Sequence, residues 1–451
     1  MRRSRPESGR VVALALGLTA CVAAPSIQDS SAPASEEAPA VPAEQPARSI
    51  ELSGQLRTRY RGQFSEGDDH DLYELIDVHA KDSAGRWSAS VLSRLAYDFD
   101  EGPLRLDSLL DTYDHSFQAQ LFHAFVDLES TRFERLRFGR QTLYETPLTV
   151  VLDGAAAELT PRGKHDATLG AYAGIGEHLY ESSSDGDVVL GTYGGLDLWR
   201  GAVLRADWMH LEDLRLGSEH DNDLFALKLD QDVRFEQGDS RFEVAHSRLE
   251  GERRDLRLGA SHVDLGGHWS ARGTYYQLLR AQADLAAPLD PFTSSLFTLF
   301  PYRQLGVSGT KDWKHVSLTG GADLRRLVEA GDEGTYNREF ERYHLTTALT
   351  HALPVEVALT SELWNSSDTD FSTWGANLSR ELERFELSVG SYYSLYKYDL
   401  ATGDERDDVR TYFFDVSFRP ESLRRWSLRY ELEDNDFDTF HQVRLDYAWG
   451  F

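Results

Sequence analysis

The chain has 451 residues and a formal net charge of −28, with a mean hydropathy of −0.47. No run of 18 or more apolar residues occurs, which excludes a transmembrane helix, and the acidic balance argues against nucleic acid as a partner. A single cysteine excludes an intrachain disulfide, and with no Cys/His zinc pattern or haem-attachment motif no cofactor is implied.

The amino terminus reads as an export signal. Arg2, Arg3, Arg5 and Arg10 precede a short apolar stretch, Val11 to Ala20, that is too short to span a bilayer. Leu18-Thr19-Ala20-Cys21 resembles a lipobox, the tetrapeptide cut before a lipid-modified cysteine, and Pro25 disfavours cleavage at the neighbouring Val22-Ala23-Ala24. Residues 1–20 are therefore assigned as a lipoprotein-type signal peptide with Cys21 as the lipidation site, against the alternative of an ordinary signal with an incidental Cys. Residues 21–48, rich in Ala, Pro, Ser and Glu, read as a disordered tether.

From Ser49 to Phe451 one texture persists, a succession of amphipathic strands. Ile50, Leu52, Leu56, Tyr60 and Phe64 share one face of the first, with Arg57, Arg59, Arg61 and Gln63 on the other. Alternation recurs from Trp87 to Phe99, with Arg94 among the polar set, and from Trp269 to Tyr275 opposite Arg272. It recurs again from Phe385 to Leu395 and from Trp426 to Leu432 opposite Arg429. The last strand sets Val443, Leu445, Tyr447, Trp449 and Phe451 against Arg444, Asp446, Ala448 and Gly450.

The connections alternate in kind. Short turns, such as Asp82–Gly85, Trp199–Gly201, Leu265–Gly267, Lys311–Lys314 and Arg419–Ser422, alternate with longer acidic ones, such as Ser65–Asp71, Tyr180–Asp187, Glu329–Glu339 and Ala401–Asp408. This asymmetry, short on one side and long on the other, belongs to outer-membrane barrels. It predicts a closed antiparallel up-and-down transmembrane β-barrel over residues 49–451. The expected strand number is about 22, or 20 or 18 if a hairpin among the weak segments 240–250 and 303–311 is miscounted. Both termini then lie in the periplasm. The number of arginines on the polar faces is too great for a dry core, so these faces should line a wet lumen.

The closing strand, with Tyr447, Trp449 and the terminal Phe451, resembles that of Gram-negative outer-membrane barrels. The resemblance implies an assembly signal read by the barrel-insertion machinery and a place in the outer membrane, among lipid and lipopolysaccharide. Within 133–159, Phe138-Gly139-Arg140-Gln141 and Leu152-Asp153-Gly154 resemble a stretch of alginate-export-type porins, as does Gly54 to Tyr60. That resemblance implies that Arg140, Gln141 and Asp153 bracket an inward-bending loop near a constriction. The lipobox and the larger strand number depart from that family, so its substrate is not carried over.

Two readings of the Arg57, Arg59 and Arg61 ladder stay open: attraction of an anionic solute, or pairing with carboxylates on neighbouring strands that holds the wall. Arg94, Arg140, Asp153, Arg272 and Arg429 join them as candidate lumen residues. Acidic clusters such as Glu66–Asp69 and Asp404–Asp408 lack calcium-loop spacing and read as solvated loops. The apolar connection 283–302 is a candidate constriction or a rim segment. Without G-x-S-x-G, H-E-x-x-H or a P-loop, and with His123 and His246 isolated, no catalytic set is assembled. The leading expectation is a porin-like channel for a polar, anionic solute or an exported polysaccharide. The alternatives are a sheath around a periplasmic partner protein and, more remotely, a barrel enzyme.

Overall fold

A computed structural model describes residues 49–64, 69–99, 116–130, 132–144, 146–159, 167–177, 187–213, 220–280, 300–332, 338–350, 354–366, 370–398, 405–434 and 439–451. The export signal, Cys21, the tether, Glu66–Asp68, Asp404 and most of the apolar 283–302 connection lie outside these residues. Among the described residues the sheet contains 22 strands. In chain order they are Ile50–Phe64 (β1), Asp69–Asp82 (β2), Trp87–Asp98 (β3), Phe117–Leu128 (β4), Arg135–Leu143 (β5), Val150–Leu159 (β6), Ala167–Gly176 (β7), Val188–Trp199 (β8), Ala202–Asp213 (β9), His220–Arg234 (β10) and Gly238–Leu249 (β11). The second half follows as Glu252–Asp264 (β12), Trp269–Leu278 (β13), Tyr302–Asp312 (β14), Val316–Leu327 (β15), Phe340–Leu349 (β16), Glu356–Ser366 (β17), Asp370–Glu381 (β18), Phe385–Tyr398 (β19), Glu405–Glu421 (β20), Arg424–Asp434 (β21) and Thr439–Gly450 (β22).

Each strand pairs antiparallel with its chain neighbours, and β1 pairs with β22 from Gln55↔Gly450 to Phe64↔His441. The ladder therefore closes on itself. Closure is what a bilayer demands, because an open edge would leave backbone N–H and C=O groups without water or partner. The two segments with weak alternation are both strands, β11 and β14. An even number of strands puts both described ends of the chain at the same end of the barrel. The short turns lie there too, including Arg200-Gly201 and the Gly85 turn, where φ is +78° at Gly201 and +69° at Gly85. One connection at the opposite end departs from the expected length: β11 and β12 are joined only by Glu250 and Gly251, with φ of 51° and 78°. Two successive residues with positive φ give the backbone twist of a tight hairpin.

The register sorts side chains into two faces around the whole ring. Arg59 stands level with Tyr73 and Asp446, Asp446 with Ser427, Arg272 with Ser308 and Ser261, and Arg137 with Asp127 and Ala156. This is the lumen face. The other face carries the large apolar residues, such as Leu345, Leu359, Trp374 and Val389, each about half exposed as lipid-facing side chains are. Aromatics mark the short-turn border, where Trp426 meets Tyr447 at 4.2 Å and Phe385 stacks on Phe418 at 4.6 Å. At the opposite border Tyr60 bonds His70 and Tyr430 bonds His441, each at 2.7 Å. An apolar band between two aromatic borders is the exterior of an outer-membrane barrel.

The closing seam is reinforced by the last residue. Phe451 and Gly54 exchange two backbone hydrogen bonds of 3.0 Å. A Cβ on Gly54 would stand 2.4 Å from the Asp77 carbonyl and 2.8 Å from the Phe451 ring. Gly54→Val is therefore expected to cost about 1–3 kcal/mol through overpacking. The readout is a lower temperature for loss of the folded, fast-migrating band on a semi-native gel, with the lumen-facing control Ser53→Ala unchanged.

Candidate functional site

An arginine-rich wall occupies the lumen where β20, β21, β22 and β1 meet. Period-two alternation on four adjacent strands brings Arg57, Arg59, Arg425, Arg429 and Arg444 around a cavity of about 300 Å³, with Asp415 and Asp446 as the carboxylates in its lining. Asp446 is shared. Its Oδ1 accepts Nε of Arg57 at 2.9 Å and Nε of Arg59 at 2.8 Å. Arg429 bonds Glu431 at 2.7 Å and Asp415 at 3.2 Å. Arg425 donates to the Ser417 hydroxyl at 2.8 Å. Arg444 donates to the Gln442 amide oxygen at 3.2 Å and forms no ion pair among the described residues. Arg425 also pairs with Glu386 at 3.7 Å, so together with Glu431 four carboxylates answer the five guanidinium groups, which leaves a slight positive surplus beside the water.

The other lumen candidates are spread around the ring. Arg61 lies toward the long-loop end and pairs with Asp69 and Asp71, the latter at 2.6 Å, while Tyr73 donates to Asp71 at 2.8 Å. Asp69, Asp71 and Asp98 are buried together there. The ladder is thus mixed in character: Arg61 is held within the wall, whereas Arg57 and Arg59 crowd one carboxylate. Arg94 packs over the rings of Tyr73 and Phe122, at 5.6 and 5.7 Å. Arg272 lines a separate lumen cavity of about 620 Å³ with Arg241, Glu243 and Arg257.

Arg140 and Asp153 stand elsewhere than the resemblance implied. They are register partners, and their neighbours on the lumen face are Gly139, Gln141, Leu152 and Gly154. Both therefore project to the outside of the wall, beside Phe138 and Ala155. There Arg140 bonds Asp153 through 2.8 and 2.7 Å contacts, pairs with Glu177 at 2.8 Å and donates to the Leu121 carbonyl at 3.2 Å. The glycine of the motif serves the wall: Gly139 has φ +117°, and a Cβ on it would meet the Ala124 carbonyl at 2.2 Å.

The loop between those strands does bend inward. On the lumen face Leu152, Val189, Met209, Leu211, Leu224 and Leu249 are at most 1 % exposed. Leu143, at the end of β5, and Leu148, within the connection that follows, pack against this cluster. Arg254 Nη1, on β12, donates across the lumen to the Pro147 carbonyl at 3.4 Å. A strap therefore covers an apolar part of the wall and narrows the passage. Arg254 carries no sequence signal because the register shifts beside it, between Ser247 and Arg248. By contrast Arg425, Arg444 and Asp446 were legible as polar-face residues, but nothing in one strand reveals that three others converge on them. His123 is not isolated, since its Nε2 lies 2.9 Å from the Ser90 hydroxyl, and His246 Nδ1 lies 2.6 Å from the Asp255 carbonyl.

No protein-family model matches the chain, and no curated protein does. Among solved structures, OccK2 (OpdF) of Pseudomonas aeruginosa aligns with 89 % of this chain and 97 % of its own at 10 % identity and a TM-score of 0.42. OccK9 (OpdG) of the same organism gives 89 %, 98 %, 13 % and 0.46. The outer membrane protein OpdK gives 89 %, 98 %, 9 % and 0.44. OccK2 is also known in complex with glucuronate and OpdK with vanillate. Likeness at this identity and score says nothing about a substrate. On their own closed register, apolar exterior and charged interior, the described residues form a closed 22-stranded antiparallel β-barrel with the build of an outer-membrane barrel.

Two outcomes follow from this geometry. Asp446→Asn leaves Arg57 and Arg59 facing a neutral amide. A loss of about 1 kcal/mol in unfolding free energy, read from urea titration, is expected, a modest value because both arginines keep water contact. Arg254→Ala frees the strap from its cross-lumen anchor, and single-channel conductance should rise while the gel-shift stability of the barrel changes little.

Proposed function

We propose that this protein is a passive outer-membrane channel that admits small anionic solutes through an arginine-lined lumen. The observation that carries this reading is the surplus of guanidinium over carboxylate around the β20–β1 cavity, where Arg57 and Arg59 share Asp446 and Arg444 has no carboxylate of its own among the described residues. Arginine suits the task. Its planar fork offers paired donors to a carboxylate and stays charged at every relevant pH. Water around the wall screens each contact, so an anion is held briefly and released, as conduction requires. No energy source or cofactor enters the scheme; the gradient drives the solute.

An exported acidic polysaccharide is the finer variant of the same reading, because its repeating carboxylates would meet the same wall. A sheath around a periplasmic protein is the second reading. The strap disfavours it, since Leu143, Leu148 and the Arg254–Pro147 bond occupy space that an enclosed protein would need. We further infer that the short-turn end faces the periplasm and that Tyr447, Trp449 and Phe451 form the assembly signal.

The test is electrical. The purified barrel in a planar bilayer should conduct, with reversal potentials in a KCl gradient that favour chloride. Arg57→Gln with Arg444→Gln should shift the permeability ratio toward potassium by roughly fivefold, as expected for two partly screened charges beside the path. A barrel that does not conduct, or that copurifies with a stoichiometric protein partner, overturns the channel reading.

A further inference from the structure

The wall is incompletely zipped between β18 and β19. Six register pairs join these strands, from Ala376↔Ser391 to Glu381↔Glu386, whereas the adjoining β17–β18 ladder has ten and β19–β20 has thirteen. Both strands continue beyond the last shared pair. Asp370–Gly375 remain paired to β17, and β19 from Tyr392 remains paired to β20. They therefore diverge over about six residues, roughly 20 Å of strand at 3.3 Å per residue, toward the long-loop end.

A cavity of about 350 Å³ occupies this gap. Its lining mixes the two faces of the wall. Thr373, Tyr392 and Phe413 belong to the lumen face, and Trp374 and Tyr393 to the outer face. The cavity is bounded mostly by lumen-face residues, and Trp374 and Tyr393 bound it where the two strands part. Side chains fill the divergence where a backbone ladder would otherwise run. Phe371 meets Tyr393 at 5.1 Å. The Arg410 guanidinium sits against the rings of Trp374 and Tyr393, at 4.8 and 5.4 Å. It donates to the Trp374 carbonyl and, at 2.7 Å, to the Thr373 hydroxyl. Arginine thereby satisfies a carbonyl that the missing ladder leaves over, which unpaired backbone at membrane depth requires. On the lumen side Arg342 and its carboxylate partner Glu362, 2.5 Å apart, line the same cavity.

From this geometry we propose that the β18–β19 gap is a lateral portal, a binding site for an amphipathic small molecule with one apolar chain and an anionic head. The rings of Phe371, Trp374, Tyr393 and Phe413 receive the chain. Arg410, which forms no ion pair among the described residues, receives the head, while Arg342 on the lumen side is held by Glu362. The volume lies at the lower end of the range for small-molecule pockets. Passage needs only rotamer changes of ring and guanidinium side chains, which are fast, and no backbone hydrogen bond has to break.

The probe is dodecanoate carrying a diazirine at its chain end, added to the full-length barrel in phosphatidylcholine vesicles and mapped by peptide mass spectrometry after irradiation. Adducts are expected on Phe371, Trp374 and Tyr393. Arg410→Gln removes the cation from the gap, and labelling should fall by roughly tenfold, a binding loss of about 1.4 kcal/mol. Thr360→Phe, which fills the cavity from a fully paired strand, should lower labelling by a similar factor. Adducts spread evenly over belt residues such as Leu345, Leu359 and Leu378, or labelling that survives both variants, overturn the portal. Chloride conductance through the lumen is expected to stay the same in both variants, so loss of the portal and loss of the channel reading are separate results.

Discussion

Lipid offers no partner to a backbone amide, and the rest of the structure depends on that constraint. The pairing of β1 with β22 meets it by leaving no edge strand. Once the ring is closed, alternation can send one set of residues outward and the other inward, and a single slipped register would exchange them. The exchange of hydrogen bonds between Gly54 and Phe451 fixes that register at the seam. Charged side chains can then be numerous, because the ring is too wide for them to form a dry core.

Much of this architecture was legible in the chain. The period-two pattern and the alternation of short and long connections gave the strand number, the closed antiparallel barrel and the orientation of Arg57, Arg59, Arg61, Arg94, Arg272 and Arg429. These are local signals, repeated 22 times, and each repetition constrains the next. The illegible parts are those where neighbouring strands decide the outcome. Arg140 and Asp153 look like pore residues beside their glycines, yet Gly139 and Gly154 are the ones on the lumen face. Arg254 is hidden by a register shift. The gap between β18 and β19 leaves no mark at all, because both strands keep their alternation and differ only in what they pair with.

The use of arginine in the wall follows from geometry. Only six lysines occur in the chain. A guanidinium can bond a carboxylate, lie over a ring and donate to a carbonyl at the same time. Arg410 does all but the first, and Arg342 both bonds Glu362 at 2.5 Å and lies over Trp364 at 5.2 Å. The wall is therefore knit by directional contacts that survive partial hydration, while a few arginines are left under-compensated and free to act on a solute.

The covered leucines and valines of β6 to β11 have one more consequence. Being covered, they are closed to the corridor, whereas Arg57, Arg59 and Arg444 stand beside it on another part of the wall. The electrical gradient inside the barrel thus runs sideways as well as along its axis, and a charged traveller is drawn toward one flank as it passes.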